Sequence, residues 1–260
     1  MKANFDDVLD FFFWGLEVFS RRDCGLILAG LRQCESDWQA SQLLRRMERR
    51  RLIQREGRGA KASFAVTATG AKRVAVVDPR SRWNAGWDGK GCLFTYDLPE
   101  QRRSERFQLW RALHAHKLGL LQRSVWVWPH AVEPILEGIL QATGIPECFC
   151  GFDCDRLFLC SDAELVAAAW DFRTIHENQR AYVESASQFI ASLKAARDLQ
   201  QVACVVASER EAYQNAFALD PLLPRRLWPD PYEGPKVEQH HGKFQARLRC
   251  RVQALAECGF

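Results

Sequence analysis

Residues Trp87 to Pro129 read WDGKGCLFTYDLPEQRRSERFQLWRALHAHKLGLLQRSVWVWP, and this stretch decides the fold. It opens with an apolar run, Cys92-Leu93-Phe94-Thr95-Tyr96, that ends on Asp97. Leu98-Pro99-Glu100 stops that strand, because proline cannot extend a ladder, and the charges after it suit a first helical turn. From Arg102 onward Phe107, Trp110, Leu113 and Lys117-Leu118 recur every three or four residues, which predicts an amphipathic helix with those residues on its apolar face. Ser124 to Trp128 alternates Val125 and Val127 with Trp126 and Trp128, the period of a strand. Strand, helix and strand in about forty residues make a crossover unit.

On the C-terminal side, His130 to Thr143 predicts a second helix, with Val132, Ile135, Leu136, Ile139 and Leu140 inward and Gly144 as its stop. Phe149 to Phe152 and Leu157 to Cys160 read as two short strands turning at Asp153 to Asp155. The central segment is therefore a split βαβ of the ferredoxin-like kind. From Asp162 the pattern is helical: Ala163 to Ala169, a long amphipathic helix from about Thr174 to Leu199, another between Gln200 and Phe217, and a last one from Val237 to Cys258. Between the last two, Asp220-Pro221-Leu222-Leu223-Pro224 and Trp228-Pro229-Asp230-Pro231 form a rigid extended loop.

On the N-terminal side, Asp6 to Phe19 and the segment capped by Asp23 have the look of two helices. Ser36 and Asp37 cap a third, Trp38 to Arg51, with Leu43, Leu44 and Met47 inward and Gln39, Gln42, Arg45, Arg46, Arg49 and Arg50 outward. Leu52 to Arg55 and Ala62 to Thr67 are β-like and joined by Glu56-Gly57-Arg58-Gly59-Ala60-Lys61, a flexible basic hairpin. Three helices and a basic hairpin are the plan of a winged helix-turn-helix, in which the third helix enters the major groove and the wing touches phosphates. Trp38, Gln39, Ser41, Gln42, Arg45 and Arg46 are expected near bases and adjoining phosphates. Arg49, Arg50, Arg55, Arg58 and Lys61 are expected on the backbone. Val76 to Arg82 reads as a linker.

Charge agrees with that placement. The net charge is +4, but residues 1–77 carry 14 Lys and Arg against nine Asp and Glu, while the remainder carries 22 against 23. The basic excess sits where a polyanion would be met. No apolar run approaches the ~20 residues that span a bilayer, and the N-terminus lacks the pattern of a signal peptide, so a cytoplasmic, membrane-free protein is expected. The ten cysteines are scattered, and reduced, mostly buried thiols are expected rather than disulfides. Cys148, Cys150, Cys154 and Cys160 lack the CxxC spacing of a zinc ribbon. No metal, cofactor or catalytic set is expected, and the chain is read as not an enzyme.

Several stretches resemble the phenylacetate-degradation repressor (PaaX-like) regulators. They are Trp87-Asp88-Gly89-Lys90 leading into Tyr96-Asp97-Leu98-Pro99, the Arg106, Leu109, Leu113 helix, Ser124 to Pro129, Trp170-Asp171, and Asp220-Pro221-Leu222-Leu223-Pro224. The resemblance implies an α+β, multidomain chain. A winged-helix DNA-binding domain (1–77) would precede a ferredoxin-like dimerisation domain (78–161) and a helical C-terminal domain (162–260) that binds an effector. It further implies a homodimeric repressor on double-stranded, near-palindromic DNA, released by an acyl-CoA thioester. Tyr232-Glu233-Gly234 departs from the Trp-Pro-Gly common in that family. The central segment is also similar to the small ferredoxin-like protein of CRISPR spacer acquisition. That similarity makes Asp97, at the end of the first strand, the acid of an alternative reading as a metal-dependent nuclease. Asp97 as a cap for the following helix is the plainer reading. Trp126 and Trp128 are expected to pack against another domain or a second subunit.

Overall fold

Alternation of large apolar residues with smaller ones commits Gly91–Tyr96 to a strand, and the computed structural model forms it there as β3. The structure describes residues 37–56, 63–69, 79–145, 149–155, 157–197 and 199–258. Its strands are β1 (Ile53–Glu56), β2 (Ser63–Val66), β3, β4 (Gly119–Gln122), β5 (Val125–Trp128) and β6 (Phe149–Cys154). Its helices are α1 (Asp37–Arg49), α2 (Pro79–Trp83), α3 (Arg103–Ala115), α4 (Glu133–Thr143), α5 (Asp162–Ala169), α6 (Phe172–Ala195), α7 (Leu199–Phe217) and α8 (Gly234–Cys258). The two helices expected before Asp37 lie outside the described residues. The chain divides into two compact units. The first takes the described residues of Met1–Asp78 with Ala181–Gln214 and Pro235–Phe260, and the second takes Pro79–Arg180 with Asn215–Gly234. Residues 162–260, expected as one helical domain, are thus distributed over both units.

In the second unit β3, α3, β4, β5, α4 and β6 follow one another, and the sheet order is β4-β5-β3-β6 with every neighbour antiparallel. That is the split βαβ topology. Phe94 pairs with Trp126 across β3 and β5, and their rings stack at 6.4 Å. Tyr96 pairs with Phe149 across β3 and β6, edge to face at 5.9 Å. Leu109 and Leu113 of α3 and Leu136 and Ile139 of α4 close the same core. Trp126 and Trp128 are therefore buried inside their own domain, where aromatic area is most stabilising, rather than turned toward a partner.

Other expectations need correcting. The fourth strand is β4, while Leu157 to Cys160 forms no strand and leaves Phe158 and Leu159 exposed. Gly119 to Gln122 follows directly on Lys117-Leu118, the end of the expected helical period. On α3 the inward pair is Leu109 and Leu113, whereas Phe107 is 58% and Trp110 38% exposed. The Arg106 guanidinium donates to the Leu98 carbonyl, and Leu109 and Leu113 lie on the sheet side. Neither the turn Glu100–Arg102 nor α3 takes a side-chain cap, so Asp97 does not cap a helix. Part of the expected linker is α2, with proline at its start and Trp83 buried. Of the six cysteines whose side chains are described, Cys92 alone is buried and Cys150, Cys160, Cys204 and Cys250 are exposed, against the expectation of mostly buried thiols.

Helices α1 and α3 end in the same way. After α1, Arg51 takes φ 56° while Leu52 N–H reaches Met47 O and Arg51 N–H reaches Glu48 O. After α3, Lys117 takes φ 60° while Leu118 N–H reaches Leu113 O and Lys117 N–H reaches His114 O. Both are Schellman turns with a basic residue in the left-handed position usually given to glycine. In both, the residue after the turn is a buried leucine, Leu52 or Leu118, that anchors it. Helix α4 uses glycine instead: Gly144, at φ 66°, donates to Leu140 O as expected.

The helical part of the first unit buries Tyr182, Leu193, Val202, Val206, Val237, Phe244 and Leu248. A polar seam runs through it. Tyr182 O–H donates to Glu209 Oε1 at 2.5 Å, and His241 Nδ1 lies 2.8 Å from the same oxygen. Tyr213 donates to Glu238 and stacks on His241 at 3.9 Å. Burial, then the charge of Glu209, pushes the Tyr182 phenol far above its ordinary pKa, so it stays a donor.

Candidate nucleic-acid interface

The interface is built on α1, where spacing sorts the side chains by physics. Leu44 and Met47 are buried, and Leu52 and Ile53 just beyond the helix are buried with them. Gln42, Arg45, Arg46, Arg49 and Arg50 recur at steps of three, one, three and one, which is one stripe of a helix. All four arginines are exposed and Gln42 is half-buried. An exposed arginine stripe backed by an apolar face presents planar guanidinium forks of the kind that pair with oxyanions such as phosphates.

The Schellman turn at Arg51 carries the chain from this helix into β1, which pairs antiparallel with β2 in the register Ile53 to Val66 through Glu56 to Ser63. Thr67 fastens the junction: its hydroxyl donates to Arg51 O at 2.5 Å and lies 3.2 Å from Leu52 O, and its N–H donates to Leu52 O at 3.1 Å. Arg55, exposed on β1, lies 4.0 Å from Glu48 of α1, a weak ion pair between exposed groups. Of the expected site residues, Trp38, Gln39 and Ser41 lie on α1, though their side chains are outside those described. Arg58 and Lys61 lie outside the described residues. Sequence reasoning missed the role of Arg51; the signal was a third arginine placed between Arg50 and a buried Leu52.

The proline loop, within the segment expected to bind an effector, is tied down by its own polar groups. Asp220 is buried; its Oδ2 accepts from Tyr232 O–H and Gln179 Nε2, each at 2.7 Å, and its Oδ1 accepts from Leu222 N–H at 2.7 Å. Trp83 Nε1–H donates to Tyr232 Oη at 3.1 Å, and Glu233 N–H donates to Gln179 Oε1 at 3.1 Å. Burial raises the Asp220 pKa, opposed by those donors and by the charge of Lys117. Lys117 is lowered by burial, and its ammonium donates to Phe217 O at 2.7 Å. Every oxygen of Asp220 is thus spent on holding the loop. Gly119 is equally constrained: a Cβ there would lie 2.6 Å from the Trp170 ring, whose Nε1–H donates to Lys117 O.

Asp97 is exposed at the end of β3. Among the described residues no group of three or more His, Cys, Asp or Glu side chains is placed to hold a metal ion. No described helix is long and apolar enough to cross a membrane.

Residues 84–166, which contain β3 to β6, match the family model of the PaaX protein central Cas2-like domain. That stretch of the chain, about a third of its length, is similar to the PaaX central domain. A solved structure, an uncharacterized protein Rv0674 from Mycobacterium tuberculosis, is similar with a TM-score of 0.52 and 18% identity, over 84% of this chain and 84% of that one. At that identity the likeness concerns the fold. No curated protein matches the sequence significantly. The PaaX-like match rests on the stretch that begins at Trp87, and it leaves the basic helix α1 to be argued on its own chemistry.

Proposed function

We propose that this chain is a PaaX-like, DNA-binding transcriptional regulator. The observation that carries the reading is the stripe of Arg45, Arg46, Arg49 and Arg50, exposed on α1 and continued by Arg55 on the strand that follows. Such a stripe next to an antiparallel hairpin has the form of a recognition helix with its wing. Arg45 and Arg46, in the C-terminal half of the helix, approach base edges and adjoining phosphates, and Arg49, Arg50 and Arg55 neutralise the backbone. Trp38, Gln39, Ser41, Gln42, Arg58 and Lys61 are the further residues expected to contact DNA.

The regulator acts as a homodimeric repressor on a near-palindromic operator, with half-sites about ten base pairs apart or a multiple of that. A small molecule of the acyl-CoA class releases it. Footprinting on the DNA upstream of its own gene tests the reading. Protection of paired half-sites, lost when residues 1–77 are removed, is the expected result. Unchanged protection by the truncated chain contradicts it.

The alternative, a metal-dependent nuclease, draws on Asp97 standing exposed at the end of β3 in a Cas2-like domain. Cleavage of RNA or DNA with magnesium or manganese, abolished in D97A, would favour that enzyme. No cleavage under either metal leaves the regulator.

A further inference from the structure

We propose that Arg225 and Arg226 form a preorganised phosphate-binding site on the proline loop. The two arginines open a single 3-10 turn, Arg225–Leu227, directly after Pro224. The turn is closed by Leu227 N–H to Pro224 O at 2.9 Å and Trp228 N–H to Arg225 O at 3.2 Å. Leu223 and Leu227 on either side of the arginines are buried with Val166, so the turn is anchored in an apolar cluster. The backbone under both guanidinium groups is therefore fixed.

The side chains are fixed as well. The Arg225 guanidinium lies over the Trp228 ring at 5.5 Å, and that of Arg226 lies over the Trp87 ring at 5.4 Å. Each indole is itself pinned: Trp228 Nε1–H donates to Leu223 O at 2.9 Å, and Trp87 Nε1–H donates to Lys90 O at 2.5 Å. A guanidinium stacked on an indole uses its face and leaves its N–H edges available. Both arginines are exposed, and among the described residues neither is held in an ion pair.

Ordering a surface arginine on a ligand costs rotamer entropy, and a ring under each guanidinium lowers that cost. Two adjacent cations with free N–H edges suit a phosphoryl group, which carries up to two negative charges and three acceptor oxygens. A single carboxylate would occupy one fork and leave the other unused. The phosphate comes either from a free phosphorylated molecule or from a DNA backbone, and the two sources are separable.

The test uses the full chain and the double variant R225A/R226A, with pyrophosphate as the free probe and duplex DNA as the backbone probe. For a free phosphoryl ligand, pyrophosphate binds saturably by calorimetry, and the variant weakens it at least tenfold. For a backbone contact, pyrophosphate is unaffected, and the slope of log K against log salt for DNA falls by about two. If both pyrophosphate affinity and salt slope match the parent, the site is overturned. Should the double alanine variant fail to fold, R225K/R226K keeps the charge while losing the planar forks. Unchanged pyrophosphate affinity and unchanged affinity for DNA in that variant overturn the site equally. The pyrophosphate arm stands even if α1 never meets DNA, so failure of the regulator reading is distinguishable from failure of this one.

Discussion

Arg51 and Asp220 show at the residue scale how this chain spends stability on position. A non-glycine residue in the left-handed region costs about 1–2 kcal/mol, and Arg51 bears that cost so that Leu52 can enter the core one residue after the helix. R51G should therefore stabilise the protein by about 1 kcal/mol, read as a higher denaturant midpoint at unchanged slope. A lower midpoint would mean that the arginine side chain contributes more than its backbone costs. Asp220 is the opposite case, a buried acid whose folded pKa lies above its unfolded one. The folded state then holds the proton more tightly. The contribution of Asp220 to stability is full below the unfolded value of about 4 and falls as pH rises through the folded value. D220N removes that pH dependence, and because its amide faces donors it also costs about 1–3 kcal/mol. Melting temperature against pH for parent and variant checks both; an unchanged difference across the acid range would contradict the assignment.

At the scale of elements, α3 shows what periodicity can and cannot decide. The helix was legible, but its face was not, because Phe107-Trp110-Leu113 and Leu109-Leu113 are both helical spacings and the larger residues drew the reading. What separates them is packing: Leu109 and Leu113 join the core that Phe94 and Trp126 form on the sheet, a tertiary detail with no local signal. Accordingly, L109A should cost about 2–5 kcal/mol and F107A less than about 0.5 kcal/mol in chemical denaturation. Equal losses would restore the reading with Phe107 inward. Strand β4 was hidden for a related reason: four residues directly after a helix carry too little pattern to announce a strand. Strand β3, the tryptophan-valine alternation of β5 and the glycine stop of α4 were all readable, since each depends only on its own residues. On α1 the outward arginines and inward Leu44 and Met47 were equally readable, whereas the turn at Arg51 required seeing which carbonyls its neighbours reach.

For the whole molecule, the two compact units differ in what supports their assignment. The unit holding β3 to β6 carries the stretch similar to the PaaX central domain, with the strand order β4-β5-β3-β6. The unit holding α1 carries the arginine stripe, and the regulator reading depends on that stripe meeting DNA. The direct measurement is the salt dependence of duplex binding by the full chain and by R45A/R46A, on DNA from upstream of its own gene. Each phosphate neutralised contributes close to one unit to the slope of log K against log salt. The account predicts a steep slope for the parent, a slope shallower by about two for the variant, and weaker binding throughout. Binding that ignores salt, or a variant that matches the parent in slope and affinity, would contradict it.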